Sequence, residues 1–72
     1  MTHLEVSDRR LLTQGEAAEY LNLPPRTLAT WRSRGGGPRF VRLRGNVRYR
    51  QGDLDSFVEA GVRDNTSQTA AP

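Results

Sequence analysis

Thr13-Gln14-Gly15-Glu16-Ala17-Ala18-Glu19-Tyr20-Leu21, followed by Asn22-Leu23-Pro24-Pro25-Arg26-Thr27-Leu28, is the stretch on which the fold turns. Thr13 can cap a helix with its hydroxyl, and Glu16, three residues on, is spaced to accept in return from the Thr13 N–H. Leu12 is placed to staple to Ala17 across that first turn. Ala17, Ala18 and Leu21 share one face, with Glu16 and Glu19 outside it. A short helix over Gln14 to Leu21 is therefore expected, with an inner face small enough for close packing. Asn22-Leu23-Pro24 interrupts it. Pro25 suits the first turn of a second helix, where no backbone N–H is needed, although Pro24 offers no capping side chain. This helix should run through Arg34 and stop at Gly35-Gly36-Gly37-Pro38, because glycine accepts the left-handed conformation and proline cannot resume a helix.

Two helices joined by about three residues make a helix-turn-helix arrangement. Downstream, Arg39-Phe40-Val41-Arg42-Leu43 and Val47-Arg48-Tyr49-Arg50 are rich in β-branched and aromatic residues and flank Arg44-Gly45-Asn46, so a short β-hairpin is expected with those three residues at its tip. Alternation puts Val47 and Tyr49 on one face and Arg48 and Arg50 on the other. Within Asp53 to Ala60, Leu54, Phe57 and Val58 recur at helical spacing, with acids near the N-terminal end that favours them. This predicts a third short helix that packs on the hairpin and ends at Gly61. The fold class is α+β, mostly α: two helices, a hairpin wing and a closing helix. Residues 1–10 read as a flexible segment, 11–61 as the domain and 62–72, which have no apolar period, as a disordered tail.

Charge is sorted along the chain. Between Arg26 and Arg50 lie eight arginines (Arg26, Arg32, Arg34, Arg39, Arg42, Arg44, Arg48, Arg50) and no acid, a local charge of +8, whereas the net charge of all 72 residues is +3. A segregated basic field attracts a polyanion from a distance, which points to nucleic acid. All eleven basic residues are arginine, which bears the mark of coding bias, yet each still brings a planar fork that grips phosphate or guanine bidentately. With no cysteine, thiolate metal sites, disulfides and thiol catalysis are excluded. His3 stands alone without a second metal ligand beside it, and nothing combines a nucleophile with a base, so neither a metal, a cofactor nor an enzymatic activity is expected. No apolar run is long enough to span a membrane, and a soluble, cytoplasmic protein of a bacterial cell or phage-infected host is expected.

Leu11-Leu12-Thr13, Glu16-Ala17-Ala18-Glu19-Tyr20-Leu21, Pro25-Arg26-Thr27-Leu28, Trp31-Arg32 and Gly35 stand in the order found in the excisionase-like helix-turn-helix family, which this sequence resembles over about Leu11 to Ala60. Pro38-Arg39-Phe40-Val41-Arg42-Leu43, Val47-Arg48-Tyr49-Arg50 and Asp53-Leu54-Asp55-Ser56-Phe57 look like that family's wing and closing helix. The resemblance implies a winged-helix DNA-binding domain related to MerR-type regulators. Ala29 and Thr30 stand where relatives often carry Arg, Lys or Tyr, so part of the usual recognition surface is trimmed.

In the second helix, Leu28 and Trp31 should face the first helix, with Trp31 as a core anchor, leaving Arg26, Thr30, Ser33 and Arg34 outside. Arg26 and Thr30 are the best base-edge candidates in a major groove; Thr27, Arg32, Ser33 and Arg34 complete the expected contact set on this helix. In the hairpin, Arg44 and Asn46 suit phosphates or a minor groove, although Gly45 and Asn46 equally suit a turn for its own sake. Arg48 resembles the wing arginine of relatives and is a phosphate candidate, while Arg50 can instead pair with Asp53. Tyr49 and Phe57 read as core. Three functions are open. The first is an excisionase, or recombination directionality factor, that binds and bends attachment-site DNA cooperatively with further copies of itself and steers an integrase toward excision. The second is a small transcriptional regulator of a phage or mobile element. The third is an adaptor for an acidic protein or RNA.

Overall fold

The computed structural model describes residues 10–64, so most of the expected flexible N-terminal segment and disordered tail lie outside the described residues. Along the chain run β1 (Leu11–Leu12), α1 (Gln14–Leu21), α2 (Pro25–Arg34), β2 (Val41–Leu43), β3 (Asn46–Arg50) and α3 (Gln51–Ala60). The strands form an antiparallel sheet in the order β1-β3-β2. The fold is thus the small α+β arrangement expected of a winged helix-turn-helix.

Helix α1 starts on a complete capping box: the Glu16 N–H donates to Thr13 Oγ1 at 3.1 Å and the Thr13 N–H to Glu16 Oε1 at 2.9 Å. It ends where Asn22 takes a left-handed φ of 60° and the Leu23 N–H donates back to the Ala18 carbonyl at 2.9 Å, a Schellman closure made by asparagine in place of glycine. Helix α2 starts at Pro25 with no side-chain cap and ends at Gly35.

Three features of the hairpin and closing helix differ from the expectation. The first strand begins at Val41, because Pro38 is buried and lacks an N–H for a ladder, and Phe40 turns toward Tyr49, ring centroids 6.3 Å apart. The tip is a two-residue turn, Arg44-Gly45, with φ of 49° and 90°. Two positive φ values match the twist of the flanking strands, so Asn46 is drawn into β3 opposite Leu43 and is not part of the tip. Helix α3 begins at Gln51, directly after β3. The Gln51 N–H donates to the Arg10 carbonyl at 2.9 Å, and the Arg50 Nε donates to Asp53 Oδ2, also at 2.9 Å, which settles the pairing left open for Arg50.

The core consists of Leu12, Ala17, Ala18, Leu28, Tyr49 and Leu54, with Leu21, Trp31 and Val47 packed against it. Complete burial of a leucine such as Leu28 or Leu54 stabilises by roughly 1.5–3 kcal/mol. With so few buried side chains, the domain is of the marginal kind that ligand binding stabilises noticeably. Trp31 is half-buried and its ring meets Phe57 of α3 at 5.5 Å, so the anchor leans on α3 as well as on the α1 side. Val58, expected inside with Leu54, is 48% exposed: near the C-terminal end of α3 the core no longer covers the helix, and Val58 lines an open groove with Leu21, Leu23 and Phe57. The strand β1 had no counterpart in the sequence reading.

Candidate nucleic-acid interface

Helix α2 divides cleanly. Leu28 is buried, and Arg26, Thr30, Ser33 and Arg34 are exposed, so the outer face carries two guanidinium groups and two short hydroxyl side chains. Thr27 is half-buried at its flank. The exposed groups are those that enter a major groove without steric conflict, arginine reading guanine and the hydroxyls reaching a base edge or a phosphate.

The hairpin offers a second basic element. Arg44 occupies the first turn position in a left-handed conformation that a glycine, asparagine or aspartate would adopt more readily, and it is exposed there beside Gly45. Asn46, also exposed, sits at the base of the turn. The register pairs Val41 with Arg48 and Arg42 with Val47, so Arg48 and Arg50 share the face opposite Val47 and Tyr49, as alternation predicted. Arg48 is half-buried and its Nη1 donates to the Val47 carbonyl at 2.8 Å. It also lies close enough to α1 for its charge, with that of Arg10, to act on Glu16. The Glu16 carboxyl is held below its ordinary range first by the Thr13 backbone N–H, and burial works the other way.

Arg32 behaves unlike its neighbours. It is half-buried, and its Nη1 donates to Gln14 Oε1 and to the Tyr49 hydroxyl, both at 2.8 Å. Gln14 Nε2 in turn donates to the Pro25 carbonyl at 3.1 Å. The guanidinium carbons of Arg32 and Arg42 lie 5.9 and 5.7 Å from the Phe40 ring centroid, within cation–π range. Arg32 was expected among the DNA-contacting residues; instead these bonds turn it inward. Gln14, Phe40 and Arg42 had not been singled out. A signal existed: at helical spacing Arg32 is only about 40° around the axis from Leu28. Away from this region, the Tyr20 hydroxyl donates to Asp55 Oδ1, and that bond raises the Tyr20 pKa.

The structure therefore gathers Arg26, Thr30, Ser33 and Arg34 on one exposed helix face and sets Arg44 and Asn46 at the hairpin's end. Arg48 lies on the sheet face opposite the one that Arg32 touches. The described acids, Glu16, Glu19, Asp53, Asp55, Glu59 and Asp64, all belong to other segments. Among the described residues no group of three His, Cys, Asp or Glu side chains is placed to hold a metal ion, and no helix is long and apolar enough to cross a membrane. A family model described as a helix-turn-helix domain matches residues 11–62. No curated protein matches the chain.

Proposed function

The chain belongs to the helix-turn-helix domain family and is a DNA-binding domain, and from that premise we propose that it is an excisionase, a recombination directionality factor that binds attachment-site DNA. The observation that carries the reading is the outer face of α2, where Arg26 and Arg34 flank Thr30 and Ser33 beside a basic two-residue hairpin turn. Arg26 and Thr30 read base edges in the major groove. Arg34, Arg44 and Arg48 hold phosphates, Asn46 supports the turn's approach, and Thr27 and Ser33 contact the backbone at the helix flanks. A surface this small makes few base contacts, so selectivity comes from several copies binding adjacent sites, bending the DNA and presenting it to an integrase. The site of action is the cytoplasm of a bacterial cell or of a phage-infected host.

Footprinting on an attachment site, combined with an in vitro excision reaction, tests this. The expected result is protection of adjacent repeats with cooperative shifts, and excision that depends on the protein. Excision that proceeds equally without it removes the recombination role and leaves the second reading, a transcriptional regulator of a phage or mobile element using the same surface at a promoter. If about six to ten phosphates are neutralised, affinity falls by about 10³ to 10⁵ between 50 and 200 mM salt. Binding to duplex that ignores sequence and vanishes at physiological salt would favour an adaptor for an acidic protein or RNA.

A further inference from the structure

Helix α2 and the hairpin must meet DNA together, yet the chain joins them only loosely. Helix α2 packs chiefly on α1, while β3 packs on α1 and α3. The covalent connection runs through Gly35 and Gly36, both at positive φ. What crosses directly from α2 to the hairpin is the Arg32 side chain, to the Tyr49 hydroxyl on β3 and over the ring of Phe40 just before β2. Gln14 completes the span, accepting from Arg32 and donating to the Pro25 carbonyl in the first turn of α2.

We propose that Arg32 is a positioning residue that locks the hairpin to helix α2 at one angle, so that the helix and the turn engage duplex DNA as a single rigid unit. This inference rests on the DNA-binding reading above and gives one of its basic residues a different task. Only arginine suits that task. Its planar fork can hold two acceptors from one nitrogen while its face lies over an aromatic ring, and lysine has neither the fork nor the flat face. The acceptors are themselves fixed, since Tyr49 is buried in the core and Gln14 is the first residue of a capped helix. Tyr49, with its ring at 6.3 Å from Phe40, thus serves the core with its ring and the clamp with its hydroxyl.

The gain is one of effective concentration. When the helix is seated, a locked hairpin already stands at its phosphates, whereas a hairpin free to pivot on glycines must find them anew. Loosening the clamp therefore weakens binding without removing a DNA contact.

The test uses the full chain with a duplex carrying its footprinted site and a scrambled duplex of equal length. Tyr49→Phe keeps the buried ring and deletes the hydroxyl; Arg32→Lys keeps the charge and deletes the fork. Both are expected to weaken specific binding about tenfold with the salt slope unchanged, and Arg44→Ala should cost less affinity in the Tyr49→Phe background than in the wild type. If Arg32→Met lowers the salt slope by about one while Tyr49→Phe binds like the wild type, Arg32 is a phosphate contact and the inference is overturned. Residual dipolar couplings on the DNA-free protein report the α2–hairpin angle separately. An angle that holds in the wild type and becomes averaged in Tyr49→Phe supports the clamp; an angle equally fixed in both overturns it. Failure of the wild type to bind any duplex overturns the DNA reading, and the couplings still decide the clamp.

Discussion

Gly37→Ala and Gly15→Ala make the same chemical change and are expected to act in opposite directions. A Cβ at residue 37 would stand 2.7 Å from Trp31 Cβ and 2.9 Å from Trp31 Cε3, closer than real Cβ atoms come. No rotamer of Trp31 relieves this, because rotation about χ1 leaves Cβ where it is. The strained contact must be met by moving the segment before Pro38 away from α2, which also loosens Trp31 against Phe57, now 5.5 Å away. Overpacking of this kind costs about 1–3 kcal/mol, against which alanine recovers about 0.4–1 kcal/mol of unfolded-chain entropy. A net loss of about 1–2 kcal/mol lowers Tm by about 4–8 °C per kcal/mol in a domain of this size. Around Gly15 no atom lies within 4 Å of an added Cβ, so alanine there gains helix propensity, up to about 1 kcal/mol, and raises Tm. The assay is thermal unfolding followed by circular dichroism and by fluorescence of the chain's single tryptophan. Gly37→Ala melting at or above the wild-type temperature with unaltered Trp31 emission would refute the packing argument.

Leu54→Ala, at a completely buried site, should cost about 2–5 kcal/mol, whereas Val58→Ala on the open groove should cost well under that; denaturant midpoints compare them, and equal losses would mean that Val58 is core. The Glu16 carboxyl has its folded pKa below the unfolded value of 4.5, so its contribution is fully present above that pH and is lost as pH falls through the lower folded value. Glu16→Gln should accordingly flatten that acid limb in unfolding titrations from pH 6 downward, and an unchanged limb would count against the capping box as its source. Arg48→Ala should weaken binding to all duplexes alike, whereas Arg26→Ala should also relax sequence preference; equal effects of Arg26→Ala on specific and scrambled DNA would remove it from base reading.

Where the sequence was legible, the signal was local and redundant. Helix α1 was readable to its first and last residue because Thr13 and Glu16 cap it reciprocally and Asn22 can turn left-handed. Strand β1 was invisible: two leucines have no period, and they become a strand only because Tyr49 and Arg50 arrive beside them. The hairpin was readable but not its tip, since Arg44 holds a positive φ that its residue type does not advertise. Helical spacing alone could not separate Arg32 from Val58. Both stand four residues beyond a buried leucine, and only the tertiary surroundings differ: β3 covers the first and nothing in the core covers the second. On the candidate interface, exposure of Arg26, Thr30, Ser33 and Arg34 followed from the α2 period, while the inward turn of Arg32 depended on Gln14 and Tyr49, distant in the chain.

Strand β1 also sets the order in which the molecule can assemble. Its partners are Arg50 and Tyr49, so its pairing closes a loop that contains α1, α2 and the hairpin. Helices and hairpins form in microseconds or less, but a closure between distant segments is rewarded only after the intervening chain has condensed. The sheet is therefore completed last. Leu11 should show a φ-value near zero in folding kinetics, with Leu28 well above it. Until that closure Leu12 and Tyr49 lack each other, and no subset of elements holds the core alone. The domain thus folds as a single cooperative unit, and a partly made chain does not yet have a working DNA-binding face.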